Sequence, residues 1–216
     1  MKARLDAIIH REQAEYLDGL LPQRDPLLQE MEGYAAEHRV PIADAEVAKF
    51  LEISARASGA KRALEIGMAI SYSVIHLLRG MGKDGLVVTI EPNDEMIRAS
   101  EGYLGRAGLR DQVRIERGKA LDVMPRLNET FDLLFIDAMK DEYSRYLDLG
   151  LERLKKGGLV IVDNLLWGGK VADESEQSDA STLALREFNH YFVNHPQLVA
   201  EVLPVGDGLG YAVKIS

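Results

Sequence analysis

The sequence predicts a doubly wound α/β fold, in which helices cover both faces of an open and mostly parallel sheet. After Gly59, short runs of apolar and β-branched residues alternate with amphipathic segments. This alternation is typical of buried parallel strands that are joined by helical crossovers. Near the C-terminus, two such runs are separated only by the turn signature Gly206-Asp207-Gly208. We therefore expect an antiparallel hairpin at one end of the sheet.

The residues before Gly59 predict helices that cover one face of the sheet. A mostly apolar stripe with helical spacing runs over residues 5–20, stops at Pro22 and restarts after Asp25-Pro26. A third helix is predicted over residues 44–57. The chain of 216 residues has no internal repeat and suits one domain. We divide it into a helical N-terminal part, 1–58, and an α/β core, 59–216.

Five strand–helix pairs are predicted within the core, before the hairpin of residues 199–205 and 211–215. They are 63–67 with 71–79, 86–91 with 93–108, 113–117 with 121–127, 131–137 with 142–155, and 159–163 with 182–195. Four of these strands end in a polar residue or a glycine: Glu65-Ile66-Gly67, Glu91, Asp137 and Asp163-Asn164. Because ligands of open α/β sheets bind beyond the carboxyl ends of the strands, the fold should bring these groups onto one rim.

Composition and charge exclude several classes of function. A formal net charge of −9 and a pI of about 5.1 disfavour a nucleic-acid partner, which most of this surface would repel. The absence of cysteine excludes disulfides, thiolate metal sites and a cysteine nucleophile. The N-terminal residues lack the apolar core of a signal peptide, and no segment has the apolar run of a membrane span. We expect a cytoplasmic protein without a membrane partner.

The first candidate site is the turn that follows the strand at 63–67. Gly67 permits a sharp exit and the close approach of a ligand, while Ser71 or Ser73 could cap the next helix. Glu91 ends the following strand, where an acidic residue commonly binds the ribose hydroxyls of an adenosine cofactor. A plain turn and a solvated glutamate are the simpler interpretation. Together the features favour nucleoside binding and leave both NAD and S-adenosylmethionine open.

The second candidate site combines Asp137 with Asp163 and Asn164, at the ends of two predicted buried strands. Two carboxylates and an amide are typical ligands of Mg²⁺ or Mn²⁺, with positions left open for water or substrate. Helix capping by the aspartates is the alternative. Capping explains one such residue more readily than three at one rim beside Lys140.

The order of these motifs resembles the cation-dependent class I O-methyltransferases, the family of catechol and caffeoyl-CoA O-methyltransferases and their bacterial relatives. The motifs are LEIG…YS, a strand ending in glutamate, FDLLFIDAMKDEY, GGLVIVDNLLWGG and GDGL, and the match runs from about Pro41 to the C-terminus. The resemblance implies a Rossmann-like, seven-stranded sheet with one antiparallel strand, often in a homodimer. It also implies S-adenosylmethionine, a divalent cation (Mg²⁺ first, with Mn²⁺ or Ca²⁺ as alternatives) and a small aromatic acceptor, catechol-like or hydroxycinnamoyl-type.

The resemblance also implies roles for individual residues. Asp137, Asp163 and Asn164 match the metal ligands, Lys140 the catalytic base, and Trp167 an aromatic wall of the acceptor pocket. The matched cofactor positions are Glu65, Gly67, Ser71, Tyr72, Ser73, Glu91, Ala120 and Asp137. Glu91 corresponds to the ribose carboxylate, and Ala120 lies near the adenine.

The sequence departs from the family pattern at three positions. Ser71 replaces a glycine and could crowd the cofactor, Lys119 replaces a small or acidic residue, and Gly210 replaces an acidic side chain of the mammalian catechol enzyme. The acidic run 173–179 is interpreted as a solvated, mobile loop, with a lid over the site as the alternative.

Three other functions stay open at this point. They are an NAD-type oxidoreductase, a non-catalytic cofactor-binding module, and a methyltransferase of a hydroxylated tRNA base.

Overall fold

A computed structural model of the chain describes residues 11–20 and 25–216, so the predicted stripe at residues 5–10 and the break at Pro22 lie outside the described residues. Seven strands form one sheet in the order β3-β2-β1-β4-β5-β7-β6. The strands are β1 (Arg62–Ile66), β2 (Leu86–Glu91), β3 (Val113–Arg117), β4 (Phe131–Ile136), β5 (Leu154–Val162), β6 (Leu198–Leu203) and β7 (Leu209–Lys214). Strands β1 to β5 are parallel, and β7 pairs antiparallel with both β5 and β6. The predicted sheet and its C-terminal hairpin are confirmed.

Helices cover both faces of this sheet. The helices are α1 (Arg11–Leu20), α2 (Pro26–His38), α3 (Ala45–Ser58), α4 (Tyr72–Met81), α5 (Asp94–Ala107), α6 (Ala120–Val123), α7 (Tyr143–Leu151) and α8 (Ala180–Val193). Alternate residues of each buried strand point to opposite faces. Leu133 and Ile161 pack under α2 to α5, whereas Leu134 and Val160 pack under α6 to α8. The sheet is therefore the middle layer between two apolar cores.

Three boundaries differ from the sequence prediction by more than two residues. Strand β5 begins at Leu154, because Leu154 pairs with Phe131 before the register shifts at a bulge. Helix α7 accordingly ends at Leu151. Helix α6 ends at Val123, since Pro125 has no backbone N–H to continue it, and a 3₁₀ turn over Met124–Arg126 follows.

No helix among the described residues combines the length and apolar character that crossing a bilayer requires.

Candidate active site

Gly67 packs the turn after β1 directly against the end of β4. Its φ is +93°, and a β-carbon at this position would lie 2.0 Å from the carbonyl oxygen of Asp137. No side chain fits that space. The backbone of the predicted cofactor turn and the first predicted metal ligand are thus in contact, which puts the two candidate sites side by side.

Glu91 is nearly buried at the end of β2, and the backbone fixes its carboxylate next to this turn. The backbone N–H of Ala69 donates to its Oε2 at 3.1 Å, and the N–H of Asn93 donates to its Oε1 at 2.9 Å. Each carboxylate oxygen retains a further lone pair for a ligand hydroxyl. The geometry therefore suits the ribose role that the sequence indicates.

A cavity of about 260 Å³ opens between the ends of β1, β2 and β4. Its lining is mostly apolar with a few polar groups, as in small-molecule sites. The lining residues are Ile66, Gly67, Ile90, Pro92, Lys119, Ala120, Ala138, Met139, Glu142 and Tyr146. Ala120 and Gly67 lie where the sequence prediction puts them. Met139, Glu142 and Tyr146 were missed, although they follow Asp137 closely in the same loop and helix.

Three of the predicted cofactor residues direct their side chains into the protein. The Tyr72 hydroxyl donates to Glu32 of α2 at 2.6 Å, and the Ser71 hydroxyl pairs with Ser100 of α5. Ser73 donates to Glu65. A contact with the cofactor from these positions would come from their backbone. Ser71 takes a left-handed conformation with φ +69°, and its side chain is fully buried.

Glu65 supports the turn from beneath, since it is fully buried. Its carboxyl accepts hydrogen bonds from Ser73 and, at 2.6 Å, from Thr89 of β2. Burial raises the pKa of Glu65 from 4.5 to about 7, while the two hydroxyls act in the opposite direction.

The second predicted site forms a cluster around Lys140, which is only 9% exposed. Its Nζ donates to Asp137 Oδ1 at 2.9 Å, to Asn164 Oδ1 at 2.6 Å and to the hydroxyl of Tyr143 at 2.6 Å. The Tyr143 hydroxyl in turn donates to the carbonyl oxygen of Asp163 at 3.2 Å. Tyr143 was missed by the sequence analysis, although its spacing of three from Lys140 puts both on one side of a helical turn.

Asp163 is buried beside this cluster. Burial raises its pKa to about 7, and the neighbouring negative charge of Asp137 raises it further in the same direction. Because two carboxylates lie close together and Asp163 is buried, a nearby cation would stabilise their negative charge. Their oxygens, with the Asn164 amide oxygen, are the donors that Mg²⁺ and Mn²⁺ prefer. The residues fit a hard divalent cation, but no three acidic or histidine side chains converge on a metal position in the described part of the chain.

Trp167 forms the outer side of the cluster. The Lys140 Nζ lies 5.5 Å from the centroid of its half-buried ring. Within residues 11–20 and 25–216, four of the five non-glycine residues with positive φ lie in the two site loops: Ala69, Ser71, Asn164 and Trp167. Such strained conformations concentrate at functional sites. At Gly210, by contrast, a side chain would meet Leu165 and Phe192 rather than the cluster.

Comparison with known proteins gives a consistent result. The sequence model of a family described as O-methyltransferase matches residues 22–215. A catechol O-methyltransferase of Mycobacterium tuberculosis is 35% identical over 191 residues, covering 87% of this chain and 86% of that protein. One of Niastella koreensis is 32% identical over 209 residues, covering 92% and 94%. The crystal structure of TomG, an O-methyltransferase of Streptomyces achromogenes involved in tomaymycin synthesis, was solved in complex with SAM. It matches with a TM-score of 0.84 and 30% identity, covering 94% of this chain and 95% of that chain.

The sheet is doubly wound, its antiparallel strand β7 lies between β5 and β6, and a cavity opens beside β1 and β2. Together with the similar proteins, these features define the class I S-adenosylmethionine-dependent methyltransferases. The chain belongs to the O-methyltransferase family and is an S-adenosylmethionine-dependent O-methyltransferase. The alternatives of an NAD-type oxidoreductase and of a non-catalytic module lose their support.

Proposed function

We propose that this enzyme methylates a hydroxyl of a small aromatic acceptor, catechol-like or hydroxycinnamoyl-type, with the assistance of a divalent cation. One observation carries the proposal. Lys140 lies between the oxygen ligands Asp137 and Asn164 and faces the ring of Trp167. A base, a set of hard-cation ligands and an aromatic wall within one cluster suit an acceptor that carries both an aromatic ring and an ionisable hydroxyl. The catechol O-methyltransferase relatives support the same acceptor class.

Asp137, Asp163 and Asn164 would hold the cation. Mg²⁺ is the first candidate, and Mn²⁺ and Ca²⁺ are alternatives for the same oxygen donors. When bound, such a cation would supply Lewis acidity, which makes a neighbouring hydroxyl easier to ionise. The burial of Asp163 supports this assignment, because a buried carboxylate beside another carboxylate is stabilised by a nearby positive charge.

S-adenosylmethionine would supply the electrophilic methyl group from the adjoining cavity. Glu91 would accept the ribose hydroxyls, and the apolar wall with Ile90 and Ala120 would contact the adenine. Gly67 leaves room for the ligand beside the end of β4. The remaining contribution of the chain is to hold methyl, sulfur and acceptor oxygen close to a line.

As a neutral amine, which keeps two of its three N–H donors, Lys140 would accept the acceptor proton on the lone pair of Nζ as the general base. Tyr143, fully buried and 2.6 Å from Nζ, would hold this nitrogen in place before and after the proton moves. Trp167 would pack on the acceptor ring and keep water away from the exchanging proton.

The experiment is a panel of vicinal diphenols and hydroxycinnamoyl thioesters, assayed with labelled S-adenosylmethionine with Mg²⁺ and in excess EDTA. We expect methyl transfer to at least one diphenol or thioester, and its loss in EDTA while the cofactor still binds by calorimetry. Matched monophenols serve as controls, since they offer one oxygen instead of two. Full activity in EDTA would refute the metal-assisted mechanism. Transfer to bulk tRNA alone would favour the alternative acceptor, the hydroxylated tRNA base.

The homodimer and the absence of nucleic-acid and membrane partners stay predictions from the sequence.

A further inference from the structure

Asp179, the residue before α8, makes more hydrogen bonds than a helix cap requires. Its Oδ1 accepts the backbone N–H of Ser181 at 3.1 Å, and this bond alone caps the helix. Its Oδ2 accepts the Lys170 ammonium at 3.0 Å, the Thr182 hydroxyl at 2.9 Å and the indole Nε1–H of Trp167 at 3.3 Å. Two of the three donors to the second oxygen, Lys170 and Trp167, therefore belong to the loop that precedes α8.

The same helix holds the rest of this loop by its backbone. The Arg186 guanidinium donates to the carbonyl oxygens of Lys170, Val171, Asp173 and Glu176. Asn189 donates to the carbonyl oxygen of Leu165 at 2.8 Å. The acidic run 173–179 was interpreted from the sequence as a solvated, mobile loop. Most of its side chains are exposed, and α8 binds its main chain through the carbonyl oxygens of Asp173 and Glu176.

Trp167 needs such an external constraint for two reasons. Its φ of +51° is unfavourable for a residue with a β-carbon, so the surrounding contacts must maintain it. Its ring is half-buried, and a partly buried indole N–H requires an acceptor. Among the described residues, Asp179 is the acceptor for the Nε1–H of this ring.

We propose that Asp179 is a positioning residue that sets the orientation of the Trp167 indole and thereby the affinity for the methyl acceptor. The proposal rests on the proposed function in one respect, namely that the acceptor binds against Trp167. Asp179 itself bonds to the Nε1 edge of the ring and acts through it. The acceptor specificity of this enzyme is accordingly determined in part by α8, at a distance from the reacting atoms.

The first test replaces one atom. In Asp179→Asn, the amide oxygen can still cap α8, but the amide N–H then faces the indole N–H and the Lys170 ammonium, which are both donors. We expect KM for the acceptor to rise about threefold to tenfold, the range that corresponds to the net contribution of one ordinary hydrogen bond. The dissociation constant of S-adenosylmethionine should not change, and kcat should change less than KM.

Asp25→Asn is the matched control. Asp25 caps α2 in the same way, accepting the Leu28 N–H at 3.0 Å, and its second oxygen pairs with Arg79. The control loses the same kind of charge and ion pair without touching the Trp167 loop. It should keep the wild-type KM, which separates positioning of the ring from a general loss of stability.

The second test does not depend on the acceptor. Trp167 is the only tryptophan of the chain, so its fluorescence reports this ring alone. We expect acrylamide to quench Asp179→Asn more efficiently than the wild type or Asp25→Asn. If no panel compound is methylated but quenching increases, the proposed function fails while the positioning of Trp167 by Asp179 holds.

A double-mutant cycle completes the design. Trp167→Phe keeps an aromatic wall but has no N–H, so adding Asp179→Asn to it should change KM less than twofold. An equal rise in KM in both backgrounds would overturn the proposal, because the carboxylate would then act on the acceptor without the indole. Unchanged quenching and unchanged KM in Asp179→Asn would overturn it as well.

Discussion

The polar side chains of the rim are held by hydrogen bonds to other groups of the protein. Lys140 has three oxygen partners, and both oxygens of Glu91 accept backbone N–H groups. Groups held in this way cannot rotate freely, so an incoming ligand meets fixed donors and acceptors. At the scale of single residues this preorganisation lowers the cost of orienting the reacting atoms.

Lys140→Met should remove the base and leave the rest of the site in place. We expect turnover of the best acceptor to fall roughly 10²–10⁴-fold, the usual contribution of a general base. The affinity for S-adenosylmethionine should stay near the wild-type value, because the Lys140 Nζ contacts the acidic cluster rather than the nucleoside cavity. Steady-state kinetics and calorimetry measure the two quantities.

Lys155→Met provides the control for this prediction. Lys155 also pairs with a carboxylate, Asp132, at 2.6 Å, but at the opposite end of the sheet. Its loss should leave turnover unchanged. If Lys140→Met turns over within a few-fold of the wild type at pH 7, Lys140 is not the base.

The sequence predicts the positions of the site residues better than the directions of their side chains. Asp137, Asp163 and Asn164 follow buried parallel strands, and topology alone brings strand ends together. The direction of Ser71 depends on a φ of +69° and on Ser100, two features that no local pattern contains. Asp179 was predicted only as part of the solvated acidic run 173–179, because its second oxygen meets Trp167 through the course of the loop, which no local pattern contains.

At the scale of elements, the turn between β1 and α4 and the end of β4 form one unit. The backbone N–H of Asp137 donates to the carbonyl oxygen of Ile66, and Gly67 packs against the carbonyl oxygen of Asp137. The cofactor turn and the first ligand of the acidic cluster therefore move together. A substitution in the turn should therefore affect both cofactor binding and the position of Asp137.

Gly67→Ala tests this coupling. The β-carbon would require 2.0 Å between itself and a carbonyl oxygen, so β1 and β4 must separate at their ends. We expect a loss of about 3–5 kcal/mol in the free energy of unfolding, the range of severe backbone or packing conflicts. Urea denaturation measures it, and the affinity for S-adenosylmethionine should fall with it.

Gly108→Ala is the matched control, since Gly108 also has positive φ, +68°, but no atom lies within 4 Å of its would-be β-carbon. Gly108→Ala should lower the free energy of unfolding by about 1–2 kcal/mol, which is the cost of the left-handed conformation for a residue with a β-carbon. Equal losses in the two variants would show that the contact with Asp137 imposes no constraint.

The element boundaries also show what a sequence pattern can and cannot predict. Strands β1, β2 and β4 were predicted because continuous apolar runs are typical of buried parallel strands. The edge strand β3 (VRIER) gives a weaker signal, since its apolar residues alternate with charged ones. The first residues of β5 were missed, since Lys155 and Lys156 are exposed and carry no apolar signal. Their strand conformation comes from the pairing of Leu154 with Phe131, which is a tertiary contact.

At the scale of the whole molecule, the centre of the sheet contains one ionisable group. Glu65 is fully buried in β1, a central strand, between the two apolar cores. Thr89 and Ser73 bond its carboxyl but bring no compensating charge. The stability of the domain should therefore depend on pH through this residue.

The sign follows from its pKa, which is about 7 in the folded protein against an ordinary 4.5. Below pH 4.5 both states are protonated and stability is at its full value. Between pH 4.5 and 7 the unfolded chain releases a proton that the folded protein retains, so stability falls as the pH rises. The total loss in the free energy of unfolding is about 3–4 kcal/mol, which is the difference between the two pKa values converted at ~1.4 kcal/mol per pH unit. Above about pH 7 the loss is complete.

Glu65→Gln should remove this pH dependence, because the amide is neutral at every pH. Its oxygen still accepts one of the two hydroxyls, and its NH2 group donates to the oxygen of the other. Urea denaturation of the wild type and of Glu65→Gln, without cofactor, measures the difference from pH 5 to pH 8. Asp163, whose pKa is also raised to about 7, adds a slope of the same sign, so Asp163→Asn serves as the parallel variant. The difference in the free energy of unfolding between the wild type and Glu65→Gln, followed over pH, isolates the contribution of Glu65. If that difference does not vary with pH, Glu65 is ionised within the folded sheet, and a cation or water must reach it there.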